Sequence, residues 1–115
     1  MTVTVTDVSG VPVAHVAGDL DLETAPDLAG IINDAVPNAA LGLVLDLTGT
    51  EYLDSAGVHL LFETAERLGR RQQRLAVVVT PDSLVEDIVE ATDLGSYAAV
   101  ASGLAGALQR LRETE

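Results

Sequence analysis

Asp54-Ser55, with His59 four residues further on, brings three different kinds of chemically competent side chain together. A carboxylate, a hydroxyl and an imidazole are the parts of a serine hydrolase. The context does not fit one: there is no Gly-x-Ser-x-Gly elbow and no second group to orient the histidine. Asp54-Ser55 heads an apolar-striped segment, so it reads first as a helix N-cap pair whose side-chain oxygens satisfy orphan backbone N–H groups. The same position suits a serine presented for phosphorylation. A phosphate there would meet open N–H groups and the positive end of the helix dipole, so the fold accepts it without melting. Asp19 and Asp21, with Glu23 nearby, are hard oxygen ligands of the kind Mg²⁺ takes. They follow a strand-like run directly, however, and read as turn chemistry rather than as a metal site.

What the sequence lacks narrows the choice further. Its 115 residues hold six arginines and no lysine, which removes the P-loop lysine, the Schiff base and the lysine general base. The same absence rejects a response-regulator receiver domain, which needs a lysine near its last strand. With no cysteine there is no disulfide framework, thiol nucleophile or thiolate metal site. His15 and His59 are too few for a histidine metal centre, and no cofactor is expected. A net charge of −12 opposes binding to nucleic acid or an anionic membrane. No apolar span or basic leader is present, so membrane insertion is not expected and the expected location is cytoplasmic. Hydrophobic content of 48% is enough for a core, and the length suits one domain over residues 1–115.

The elements that must position these residues follow from periodicity. Thr2 to Thr6 alternates with period two, as a half-solvated edge strand does, and Val11 to Ala17 follows after the Ser9-Gly10 turn. The two should form an antiparallel hairpin. Thr24-Ala25-Pro26-Asp27 opens a helix, with Thr24 as cap and Asp27 returning the capping-box bond. Its buried stripe is Leu28, Ile31, Ile32 and Ala35. Leu41 to Leu47 is a central strand, and Ser55 to about Arg71 a helix burying Val58, Leu61, Phe62, Ala65 and Leu68. Leu75 to Val79 is a buried strand, Ser83 to Ala91 a short helix, Ser96 to Val100 a short strand, and Leu104 to Leu111 a terminal helix. The order predicts an α/β fold with a mixed sheet of four to five strands, an N-terminal antiparallel hairpin and about four helices.

On that helix, Ala56, His59, Leu60, Glu63 and Arg67 fall opposite the expected core stripe. An exposed Leu60 beside the small Ala56 makes an apolar centre for a docking patch. The Arg67 to Arg74 cluster matches the negative end of the helix dipole.

Gly18-Asp19-Leu20-Asp21, the strand Leu43-Val44-Leu45-Asp46-Leu47, and Tyr52-Leu53-Asp54-Ser55-Ala56-Gly57-Val58 together resemble a STAS domain of the anti-sigma factor antagonist type. The resemblance runs over essentially the whole chain and implies partner switching. The unphosphorylated antagonist binds an anti-sigma factor that is also a serine kinase, and so frees a sigma factor for transcription. Phosphorylation of the serine after the motif aspartate, Ser55 here, dissolves the complex, and a serine phosphatase resets it. The resemblance implies that Asp54 positions Ser55, that Gly57 allows close approach at the helix start, and that Asp19 and Asp21 belong to the partner surface. With Ala56, His59 and Leu60 these make the expected partner-binding set, on a monomer or weak dimer without enzymatic activity. Ala56 stands where many members have a second Ser or Thr, and Asp93 stands where the family often has Gly, calling for a left-handed turn. The runner-up reading is a soluble STAS subunit or module of a membrane transport or lipid-export assembly.

Overall fold

The computed structural model describes residues 1–113; the last two residues of the expected 1–115 domain lie outside the described residues. Five strands form one sheet in the order β1 (Thr2–Val8), β2 (Val11–Ala17), β3 (Gly42–Gly49), β4 (Arg74–Val78), β5 (Ala99–Ala101). β1 and β2 pair antiparallel over their full length, and every later pairing is parallel. The helices are α1 (Ala25–Ala35), α2 (Ser55–Arg70), α3 (Leu84–Ala91) and α4 (Leu104–Arg112). The mixed sheet, the hairpin and the four helices are those the sequence predicts.

Spatial order equal to chain order has a geometric consequence. Each β-α-β crossover from β2 to β5 steps in the same direction and takes the right-handed path, so α1, α2 and α3 stack on one face. The core on that face holds Ala14, Val16, Leu43, Leu45, Leu47, Leu75 and Val77 under Leu28, Ile32, Leu61 and Leu68. Helix α4 alone covers the other face, packing Ala107, Leu108 and Leu111 on Val11, Val13, Val44, Ala76 and Val78. β2 to β4 are therefore apolar on both sides, and each fully buried Leu or Val stabilises the fold by roughly 1.5–3 kcal/mol.

Several expectations are revised. In α1 the buried residues are Ala25, Leu28 and Ile32, while Ile31 and Ala35 are only half-buried. Thr24 makes no side-chain cap bond at the head of α1. The turn before it is closed by Asp21, whose Oδ1 accepts from the Glu23 and Thr24 N–H groups (3.0 and 3.1 Å) and from the Thr24 hydroxyl. In α2 the buried set is Gly57, Leu60, Leu61, Thr64, Ala65 and Leu68, while Val58 and Phe62 are only half-buried. Leu60 is therefore not an exposed patch residue, being only 6% exposed. The reason is layering: α2 touches α1 as well as the sheet, so its buried arc is wider than one stripe and turned towards α1. The last strand is Ala99–Ala101 rather than Ser96–Val100, because Leu94–Ser96 form a 3₁₀ turn. Asp93 does take the left-handed conformation, at φ 63°.

Where α4 does not reach, the sheet carries a polar network. His15 Nδ1 lies 2.8 Å from Asp46 Oδ2 and His15 Nε2 lies 3.2 Å from the Thr6 hydroxyl, while Thr48 donates to Asp46 Oδ1 from its N–H and hydroxyl. Burial raises the Asp46 carboxyl, but the Thr48 and His15 hydrogen bonds outweigh it and hold the group below its ordinary 3.8. A depressed carboxylate contributes stability that is complete above its unfolded value and is lost as pH falls through the folded one. Asp46→Asn should therefore cost about 1–2 kcal/mol at pH 7. Urea denaturation should show that deficit closing as pH is lowered below 3.8.

Candidate functional site

The carboxyl ends of β2, β3 and β4 point to one pole, where an open α/β sheet gathers its functional groups. Here β2 and β3 do not simply stop. Beyond the strands Gly18 N–H donates to Gly49 O (3.0 Å), Leu20 N–H to Tyr52 O (3.1 Å), and Asp54 N–H to Leu20 O (3.2 Å). Leu20 and Leu53 thus form a parallel bridge, and both side chains are buried. The bridge sets the Asp19–Thr24 turn against the first turn of α2.

Gly57 makes this contact possible. A Cβ at that position would lie 2.5 Å from Leu20 O and 3.0 Å from Leu53 Cβ, so every larger residue would push the turn off the helix. Gly57 is itself buried, so it acts from beneath the surface and not as a contact on it.

Asp54 is the N-cap of α2, in extended conformation. Its Oδ1 accepts from Ala56 N–H (2.9 Å) and Gly57 N–H (3.1 Å), and its Oδ2 from Leu22 N–H (3.2 Å). One carboxylate therefore caps the helix and ties it to the neighbouring turn. This changes the expectation for a phosphate at Ser55: the N–H groups of Ala56 and Gly57 are already taken by Asp54. Ser55, the first helical residue, is exposed.

The remaining predicted residues divide into surface and support. Asp19 and His59 are exposed, and Ala56 is half-buried. Asp21 is half-buried with Oδ1 bonded within its own turn, and the Thr24 N–H bond leads the interactions that hold its carboxyl below the usual value. Leu60 is the floor of a groove of about 210 Å³ between α1 and α2, lined also by Leu22, Pro26, Ala56, His59 and Glu63. Leu22, 75% exposed on the rim, is the residue sequence reasoning missed. Its signal was an apolar side chain between two acids in a turn, outside any core periodicity. Tyr52, 45% exposed on the loop entering α2, is a second apolar group in this region. Among the described residues no group of three or more His, Cys, Asp or Glu could hold a metal ion, and no helix is long and apolar enough to cross a membrane.

Comparison with known proteins agrees with this architecture. A family model described as "Mlab, STAS domain" matches residues 3–104. A crystal structure of an anti-sigma factor antagonist from Mycobacterium paratuberculosis superposes with TM-score 0.85 at 32% identity, over 97% of this chain and 94% of that one. Anti-sigma-F factor antagonist RsfB of Mycobacterium tuberculosis is 40% identical over 70 residues, a match spanning 61% of this chain and 57% of RsfB. The phosphorylated form of the Bacillus cell fate determinant SpoIIAA has TM-score 0.66 at 18% identity, over 96% of this chain and all (100%) of that one, and shares the fold alone. The chain belongs to the STAS domain family of anti-sigma factor antagonists.

Two substitutions test the construction of the site. Gly57→Ala should cost on the order of 2–3 kcal/mol by overpacking against Leu20. Asp54→Ala should cost about 1 kcal/mol as a lost cap. Equilibrium unfolding gives both values, and amide exchange should show protection at Leu20 and Leu22 falling in each.

Proposed function

We propose that this chain is an anti-sigma factor antagonist that works by partner switching at Ser55. The unmodified form binds an anti-sigma factor with serine kinase activity, which releases a sigma factor for transcription. Phosphorylation of Ser55 ends the complex, and a serine phosphatase restores it. The observation that carries the reading is an exposed Ser55 at the head of α2, set between the Asp54 cap and the apolar groove. The relatives described as anti-sigma factor antagonists support it, and SpoIIAA, with the same fold, has been solved in a phosphorylated form.

In this reading Asp19, Asp21, Asp54, Ala56 and His59 face the partner, with Leu22 added as an apolar contact. Gly57 and Leu60 hold that surface in shape. The physics gives the switch its direction. A phosphate adds roughly −1.5 to −2 charges at pH 7. With the nearest helix N–H groups bound to Asp54, the new charge is left beside a carboxylate and projects from the surface. A partner that desolvates a neutral hydroxyl there would then bury an uncompensated dianion, at a cost of roughly several kcal/mol. Each ~1.4 kcal/mol is tenfold in affinity, so the modification suffices for an on/off response without refolding.

The test is reconstitution with the anti-sigma kinase captured from the native cell. With ATP it should add one phosphate to the wild-type chain and none to Ser55→Ala. Ser55→Ala should keep binding and Ser55→Asp should lose it. Equal binding by Ser55→Asp and wild type sinks the reading, and co-purification with a membrane ATPase instead of a kinase moves it to a transport assembly.

A further inference from the structure

The two edges of the sheet are guarded very differently. β5 is only three residues long, a length that offers little to pair with. β1 is seven residues long, pairs with β2 without a bulge from Thr2 to Val8, and leaves its other side open. Among the described residues its protection is slight: β1 holds no proline and no lysine or arginine, and its single charge is Asp7 near one end.

Charge placement says what can approach this edge. Asp7 is the sole carboxylate among residues 1–18, while residues 19–115 hold the other seventeen against all six arginines. The β1–β2 hairpin is thus the region where two copies of a −12 chain repel each other least. The strand is also self-complementary. Under a two-fold axis at Thr4, Thr4 meets Thr4, Thr2 meets Thr6, and Val3 meets Val5. Asp7 then faces Met1, so no two carboxylates are opposed. Val5, 43% exposed with no described strand beside it, would be covered by Val3 of the partner subunit.

We infer that β1 is a self-association edge, through which two copies pair antiparallel into one continuous ten-stranded sheet. Because β1 is antiparallel to β2, the parallel strands of the two copies then run in opposite directions. The two Ser55 poles lie at opposite ends, and both remain open. Pairing through one bare strand buries less than a standard interface, so the dimer forms at high concentration only.

Sedimentation velocity on the full chain from about 10 μM to about 1 mM tests this. The apparent mass should rise towards two chains, and more so at high salt, because screening weakens the −12 self-repulsion. Thr4→Lys should abolish the rise, although a lysine lowers the net charge and would favour association by any route governed by bulk repulsion. On wild type, amide exchange of β1 should slow with concentration, a reading that does not depend on how the variant folds. A monomer at the highest concentration, association indifferent to Thr4→Lys in a folded variant, slowing confined to other elements, or weakening by salt would each overturn it. None of these results bears on the switch at Ser55.

Discussion

The parallel bridge between Leu20 and Leu53 is the constraint on which the rest of the site depends. Beyond the ends of β2 and β3 the chain needs a reason to stay together, and the Leu20–Tyr52 and Asp54–Leu20 backbone bonds supply it. Two buried leucines seal the bridge, and a glycine leaves room for it. Because the bridge holds the turn against α2, the Asp54 carboxylate reaches both the first turn of α2 and the Leu22 N–H. Without it, the turn carrying Asp19 and Leu22 and the Ser55 end of α2 would sit on separate tethers. With it they form one surface.

Charge acts on that surface through placement. Nearly all of the −12 total comes from residues 19–115, and the six arginines lie on the later half of α2, at its C-cap (Arg71), at the start of β4 and near the end of α4. Those from α2 to β4 have hydrogen-bond partners: Arg67 in Asn33, Arg70 in Glu66, Arg71 in Asn38, and Arg74 in the Arg110 and Glu113 carbonyls. None of them is in the turns around Ser55. A charge added there therefore finds acids and dipoles already committed, with no basic residue in the adjoining turns to absorb it. The same distribution leaves the hairpin edge nearly neutral, so the Ser55 pole and the hairpin edge are electrostatically distinct.

Much of this was legible in the sequence because the signals are local. Period-two alternation marked β1, the apolar run marked β3, and Asp54 before Ser55 marked the head of α2. At Asp93, where an aspartate in place of glycine left the turn open, the chain takes the left-handed conformation. The failures share a different origin, since each depends on where another element lies. Leu60 faces α1, which no helical stripe read in isolation reveals. Thr24 is the N-cap residue of α1, but its hydroxyl is engaged by the preceding turn, where Asp21 Oδ1 and Asp19 O accept from it. His15 and Asp46, 31 residues apart, meet only because the β2–β3 register sets them side by side. Leu22 carried no periodic signal, because its exposure is a property of the turn.

The central claim is that Ser55 controls partner binding through surface chemistry while the scaffold stays intact. The most direct measurement is the affinity of the cognate anti-sigma kinase for a chain carrying phosphoserine at position 55, against the unmodified chain, in the same titration calorimeter. The account predicts a loss of about 100-fold or more, equivalent to about 2.7 kcal/mol. An affinity within about threefold of the unmodified chain would contradict it.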